Sequence, residues 1–279
     1  MATRLPESSK LAFIGCGVMA ESMIAGLLRN EIVSPSQIVG SHPRSERRRE
    51  LAEKYGIDTY EHNAHAVEAL PDTGIVVLSV KPQRIDRVLK DLNGVIQPSH
   101  LVISIIAGAR IEKISKEFRN DLVVRAMPNT PSQIGAGMTV WTCSDGVDES
   151  HRLQVRTMLS ALGKELYVET ENMIDMATSL SATGPTYIFM VMEAMTDAGV
   201  HLGFSREIAK ELVQQTMLGS VLFAMESHKH PAELRNMVTS PGGTSAEAIY
   251  QMEKGTLRTV LSKAIHAAYK RAVELGKRD

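Results

Sequence analysis

Leu11-Ala12-Phe13-Ile14-Gly15-Cys16-Gly17-Val18-Met19-Ala20 is the stretch on which the fold turns. Its first four residues are apolar and read as a short buried strand. The next six follow G-x-G-x-x-A, the spacing of a dinucleotide-binding turn. Gly15 permits the tight turn, Gly17 lets a pyrophosphate approach the backbone, and Ala20 keeps the next helix close to the strand. Met23, Ile24, Leu27 and Leu28 then recur on one helical face. Strand, glycine turn and helix in this order imply a parallel α/β sheet whose first turn offers free N–H groups to phosphate.

Outward from there, residues 37–40 read as a second strand, ending in Ser41-His42-Pro43-Arg44-Ser45. A site for NAD wants an acidic residue here for the ribose 2′-hydroxyl. None occurs before Glu46. Ser41, Arg44 and Ser45 suit a 2′-phosphate instead, so NADPH is expected ahead of NADH. Arg47, Arg48 and Arg49 cannot all point one way, and part of this run reads as a solvated helix face.

Residues 74–80, 101–106 and 122–126 are continuous apolar runs, as in parallel strands covered on both faces. They end at Lys81-Pro82, at Ala107-Gly108 and at Met127-Pro128-Asn129-Thr130-Pro131. Helical segments separate them, which argues a doubly wound sheet with ligands beyond the carboxyl ends of its strands. Residues 140–142 and 166–168 are candidate edge strands on either side of a helix over 148–162.

After about residue 169 strand signals stop and apolar helices take over. Residues 173–200 read as the longest, kinked or broken at Gly184-Pro185. Residues 187–195 are apolar nearly all round, more than the helical half alone can cover, so a second subunit is expected to bury them. Ser240-Pro241-Gly242-Gly243-Thr244-Ser245 follows, with Thr244-Ser245-Ala246-Glu247 reading as a capping box that starts a helix. Free N–H groups and two hydroxyls at such a start suit a small carboxylate. The alternative is an ordinary helix-to-helix turn.

The 279 residues divide into a sheet domain over 1–169 and an all-helical domain over 170–279. A net charge of -1 argues against a nucleic-acid or membrane-surface role, and 4% aromatic residues leave few stacking platforms. Cys16 and Cys143 are the only cysteines, which excludes a disulfide framework or a cysteine zinc site and fits a reducing cytoplasm. Residues 1–10 lack the apolar core of a signal peptide. Residues 187–192, the most apolar run, are too short to span a bilayer. The histidines show no metal-ligand spacing and read as structural or solvated. No nucleophile elbow with Ser-His-Asp order occurs.

Several motifs now combine: F-I-G-C-G at 13–17, V-K-P at 80–82, A-G at 107–108 and M-P-N-T-P at 127–131. G-P-T-Y-I-F at 184–189, H-P-A-E-L-R at 230–235 and V-T-S-P-G-G-T-S at 238–245 follow. In this order, from about residue 10 to 275, they resemble pyrroline-5-carboxylate reductase, the last enzyme of proline synthesis. The resemblance implies a Rossmann domain and an all-helical dimerisation domain with the active site between them. It implies a homodimer with interleaved helical domains, often built into a pentamer of dimers. The implied reaction is hydride transfer from NADPH to 1-pyrroline-5-carboxylate, giving L-proline.

By matching motifs, Gly15, Gly17, Val18 and Met19 would hold the pyrophosphate, and Ser41 and its neighbours the adenosine phosphate. Asn63, Val80, Lys81 and Pro82 would line the adenosine and ribose region. Ala107, Gly108 and Asn129 would lie near the nicotinamide. Ser240, Gly242, Gly243, Thr244 and Ser245 would hold the substrate, with Thr244 or Ser245 as the hydroxyl beside the ring nitrogen. The family commonly carries Thr-Thr or Ala-Thr where this chain has Thr244-Ser245. Its S-G-S-G-P segment is bulkier here, as Ser181-Ala182-Thr183-Gly184-Pro185.

Two rival readings share parts of this pattern. A β-hydroxyacid dehydrogenase has a similar plan but resembles a family with a catalytic lysine on the first long helix of the second domain. No lysine occurs between Glu171 and Ala209. A carbonyl needs such a proton donor, whereas a protonated imine does not. A non-catalytic NADP(H)-binding regulatory paralogue would have no need of the intact S-P-G-G-T-S segment.

Overall fold

The computed structural model describes residues 4–277. Its strands are β1 (Leu11–Ile14), β2 (Ile38–Ser41), β3 (Asp58–Tyr60), β4 (Ile75–Leu78), β5 (Leu101–Ser104), β6 (Val123–Met127), β7 (Gly137–Cys143) and β8 (Gly163–Tyr167). They form one eight-stranded sheet in the order β3-β2-β1-β4-β5-β6-β7-β8. Every neighbouring pair is parallel except β6 with β7. The order from β3 to β6 is that of a doubly wound, dinucleotide-binding sheet.

Helices α1 (Val18–Arg29), α2 (Ser45–Tyr55), α3 (Asn63–Glu68), α4 (Ile85–Leu92), α5 (Ile111–Phe118) and α6 (Glu149–Ser160) alternate with the strands. The period of two along each strand sorts its residues between two cores. Leu11 and Phe13 pack with Met23, Ile24 and Leu27 of α1 and with Val155 and Met158 of α6. Ala12 and Ile14 pack on the other face with Val67 of α3, Val88 and Leu92 of α4, and Ile114 and Phe118 of α5. Both faces being covered, all four residues of β1 are fully buried, and the strand reads as an unbroken apolar run. Each large side chain so buried contributes about 1.5–3 kcal/mol.

The remaining elements are helical: α7 (Glu171–Ala177), α8 (Gly184–His201), α9 (Arg206–Ser227), α10 (Pro231–Met237), α11 (Thr244–Lys254) and α12 (Leu257–Gly276). A π-helical turn, Thr178–Ala182, follows α7, and Thr183 N–H donates to Thr178 O at 2.9 Å. By compactness the chain forms one unit up to Thr183 together with the stretch from Ala268 onward, and a second unit over Gly184–Ala267. In the first unit Ile174 of α7 is buried with Val140 and Val168. In the second, α8 and α9 pack closely: a Cβ at Gly199 would lie 2.9 Å from Ala209 Cβ. No described helix is long and apolar enough to cross a membrane.

Several local readings need correction. β3 was not foreseen, because three residues at a sheet edge, Asp58-Thr59-Tyr60, carry no apolar run. β7 extends well beyond residues 140–142 and lies inside the sheet, leaving β8 at the edge. The longest described helix is α9, not residues 173–200. The break there falls at the π turn, just before Gly184-Pro185, and Pro185 sits in the first turn of α8, where its missing N–H costs nothing.

Candidate nucleotide and substrate sites

The glycine turn joins β1 to α1. Gly15 has φ +88°, and a Cβ there would fall 2.4 Å from Val80 Cγ1, so glycine is required on both counts. Gly17 differs: a Cβ would meet nothing nearer than Gly15 O at 4.0 Å. Gly17 is also the N-cap of α1 and no side chain caps it. The first N–H groups of the helix, those of Val18 and Met19, are therefore open donors beside an open glycine. That is a cradle of the size and polarity a pyrophosphate needs.

Hydrogen bonds tie this turn to the ends of β2 and β4. Cys16 N–H donates to Ser41 O at 2.9 Å, and Gly15 N–H lies 3.2 Å from the same oxygen. Ser41 is fully buried, and its hydroxyl donates to Asn63 Oδ1 at 2.8 Å. The Ser41 side chain thus supports the loop and Asn63 instead of presenting its hydroxyl at the surface. Ser79 adds a brace that the sequence reading missed, its hydroxyl donating to Ile14 O at 3.0 Å and lying 3.2 Å from Gly15 O. Lys81 is exposed, and Pro82 opens the short turn after β4.

The arginines divide by role. Arg47 donates through Nε to Cys16 O at 3.2 Å and pairs with Glu21 and Glu50. Arg48 donates to His42 O at 2.8 Å and pairs with Glu61 at 2.9 Å. Arg44 is exposed and its guanidinium has no ion-pair partner among the described residues. Burial acts to raise the Glu21 carboxyl, but bonds from Arg47, Lys54 and Tyr55 overcome it and bring its pKa down to about 2. Burial pushes the Cys16 thiol the other way, up to about 12, so it is protonated and inert.

Ala107 is half-buried beyond the end of β5. Gly108 has φ +77°, and a Cβ there would meet Leu275 backbone carbon at 2.8 Å. Its lack of a side chain lets the end of α12 pack here. Asn129, after β6, accepts from Met138 N–H at 2.9 Å and donates to Ser181 O at 3.3 Å. Both its polar ends are thus engaged within the protein. Hydrogen bonds join Gly15, Ser41 and Asn63, and the close approach of Val80 to Gly15 adds a fourth member to the cluster. Asn129 is tied instead to the π-helical turn through Ser181, and Gly108 to the end of α12.

In the second unit, Gly243 N–H donates to Ser240 O at 3.0 Å. Pro241 and Gly242, with φ +68°, occupy the central positions, the pattern of a type II turn. A Cβ on Gly243 would come within 2.7 Å of Ser240 Oγ. The foreseen capping box is displaced by one residue: Gly243 is the N-cap of α11, Thr244 is its first residue, and no side chain caps it. The type II turn ends at Gly243, so that residue takes the N-cap position and the helix starts one residue earlier than the capping box places it. This leaves the N–H groups of Thr244 and Ser245 open, and among the described residues neither hydroxyl is engaged by a hydrogen bond. Thr244 is exposed and Ser245 half-buried.

Comparison with known proteins decides the family. Residues 171–275 match the family model for pyrroline-5-carboxylate reductase dimerisation, and residues 10–108 match one for NADP oxidoreductase, coenzyme F420-dependent. A pyrroline-5-carboxylate reductase of Pseudomonas aeruginosa is 41% identical over 274 residues, covering 97% of this chain and 98% of that one. The chain belongs to the pyrroline-5-carboxylate reductase family. The solved reductase of Coxiella burnetii superposes with a TM-score of 0.86 at 36% identity, covering 97% of this chain and all of that one (100%). The Plasmodium falciparum reductase, solved with NADP bound, superposes at 0.88 with 28% identity, covering 97% of this chain and 99% of that one. As a reductase of this family the protein is an oxidoreductase. The NADP-oxidoreductase model spans the stretch that holds the glycine turn, Ser41, Asn63 and Val80. The dimerisation model covers α7 to α11 and most of α12.

Proposed function

We propose that this protein reduces 1-pyrroline-5-carboxylate to L-proline, with NADPH preferred to NADH, as a cytoplasmic homodimer built further into a pentamer of dimers. The functional halves are residues 1–169 for the nucleotide and 170–279 for dimerisation and substrate. The reading is carried by the open start of α11: a type II turn, two unengaged amides and two free hydroxyls in a chain that belongs to this family throughout.

The nucleotide fits the residues present. The open space at Gly17 and the free amides of Val18 and Met19 accept a pyrophosphate. Arg44 takes the adenosine 2′-phosphate. Ser41 acts by holding Asn63, which with Val80, Lys81 and Pro82 lines the adenosine ribose. Ala107, Gly108 and Asn129 border the nicotinamide, Asn129 by fixing backbone. When bound, the nicotinamide supplies the hydride.

On the substrate side, the N–H groups of Thr244 and Ser245 donate to the carboxylate, helped by the helix dipole by about 0.3–1 kcal/mol. Ser240, Gly242 and Gly243 shape the turn so that the ring approaches the main chain. The hydroxyl of Thr244 or Ser245 then orients the ring nitrogen. That nitrogen is already protonated in the electrophilic form of the imine, so hydride adds to the carbon without the protein having to deliver a proton to the nitrogen. Positioning is the main catalytic contribution. The test is NADPH oxidation on adding 1-pyrroline-5-carboxylate. Stoichiometric proline formation is expected, and its absence in folded, NADPH-binding protein would overturn the proposal in favour of a non-catalytic role.

A further inference from the structure

In sequence His42 is one of several histidines that read as structural or solvated, yet its surroundings give it a defined chemical state. It follows Ser41, whose carbonyl accepts from the glycine turn through Cys16 N–H at 2.9 Å. The ring therefore stands one residue from the phosphate-binding loop. The backbone on both sides is fixed: His42 N–H donates to Tyr60 O at 3.0 Å, and Arg48 donates to His42 O at 2.8 Å. The ring is fixed as well, because Nδ1 accepts from Arg44 N–H at 3.2 Å. An Nδ1 that accepts must carry its lone pair, so the proton of the neutral ring is on Nε2. Among the described residues no group takes up that Nε2–H.

The charged groups around the ring are Arg44, Arg47 and Arg48. Arg47 is neutralised by Glu21 and Glu50, and Arg48 by Glu61. Arg44 has no such partner among the described residues. Burial first, and then the charges of these arginines, hold His42 below the usual histidine range. The ring is therefore a neutral donor at neutral pH, at one end of an unsatisfied positive charge. The helix α2 starts alongside with Arg44 as its N-cap and no side-chain cap, so its first amides are open too.

We propose that His42 Nε2–H and the Arg44 guanidinium together read the cofactor's 2′-phosphate, which makes His42 a specificity-determining residue for NADPH over NADH. This rests on the NADP(H) reading above and extends it to a residue of defined tautomer. A preset donor loses no rotamer freedom on binding, and a phosphate oxygen is a stronger acceptor than the ribose hydroxyl in NADH. The ring thus discriminates in favour of the phosphorylated nucleotide.

The test is calorimetric titration of the full chain with 2′,5′-ADP and with 5′-AMP, which needs no turnover. In the wild type, 2′,5′-ADP should bind at least about tenfold more tightly than 5′-AMP. His42→Ala should weaken 2′,5′-ADP by about tenfold and leave 5′-AMP within about twofold, the latter also reporting that the variant is folded. His42→Gln, which keeps a side-chain N–H donor, should recover most of the loss. The nitrogen-15 shifts of His42 should show the Nε2-protonated ring. Equal losses for both ligands, no loss for either, or an Nδ1-protonated ring would overturn the assignment to His42. A wild type that does not distinguish the two ligands would instead overturn the NADP(H) reading itself.

Discussion

Arg125 of β6 and Asp175 of α7 form an ion pair at 2.7 Å, and each side chain is only 1% exposed. Arg125 also binds Glu171 at 2.9 Å, and Arg110 reaches Asp175 at 2.9 Å. Glu171 further accepts from Ile111 N–H at 3.0 Å. Two cations and two carboxylates thus hold the first turns after the last strand against the sheet.

Removing one member leaves a buried charge short of its partner. Arg125→Met is expected to cost about 3–5 kcal/mol, far more than an exposed pair such as Arg206 with Asp197, whose loss should cost less than about 1 kcal/mol. Chemical denaturation of the two variants makes the comparison. Equal, small losses would show that the buried cluster does not stabilise this junction.

Glu21 supplies a pH dependence whose sign is fixed by its depressed pKa, about 2 in the folded protein against 4.5 ordinarily. The folded state holds this carboxylate charged while the unfolded chain protonates it. Its contribution is therefore complete above about pH 4.5 and is lost as the pH falls toward about 2. Glu21→Gln should lower stability near neutrality and flatten the decline over that range. An unchanged acid profile in the variant would refute the role given to Arg47, Lys54 and Tyr55.

The two thiols should separate under a thiol reagent. Cys16 is fully buried, its pKa is raised to about 12, and a Cβ on Gly40 would lie only 2.6 Å from its Sγ. Cys143 is half-buried. Labelling of the native protein should modify Cys143 first and Cys16 only on unfolding. Comparable native rates would mean that the glycine turn opens readily.

Much of this arrangement is legible in the sequence because the signals are local. Gly15 and Gly17 between an apolar tetrad and an amphipathic helix define the turn, and the runs around Ile75 and Leu101 mark strands buried on both faces. What escaped notice depends on partners distant in sequence. Arg125 sits in an apolar strand, and nothing near it announces Asp175, 50 residues on. Ser79 gains meaning only from the Ile14 carbonyl, 65 residues back, whereas His42 meets a near neighbour, the Arg44 amide, in a loop geometry that residue types alone do not specify. The side chain of Thr244 suits a cap, but the preceding type II turn gives that position to Gly243.

The apolar surface of α8 calls for a second subunit. Ile188, Phe189 and Met190 are 50%, 60% and 64% exposed in the single chain, and the helix has no fully buried residue. Such a surface is a partner site. Phe189→Glu should halve the mass seen by light scattering or yield insoluble protein. A wild type that is monomeric at working concentration would contradict this.

The account stands or falls on Thr244 and Ser245, whose open amides and free hydroxyls are assigned to the substrate. Neither side chain caps α11, so replacing both with alanine should leave the melting temperature almost unchanged. The decisive measurement is kcat/KM for 1-pyrroline-5-carboxylate in Thr244→Ala/Ser245→Ala, taken with the dissociation constant for NADPH. A loss of about tenfold to a hundredfold in kcat/KM is predicted, with NADPH binding within about threefold of wild type. Unchanged turnover in the folded variant, or an equal loss in NADPH binding, would contradict the assignment of this turn to the substrate.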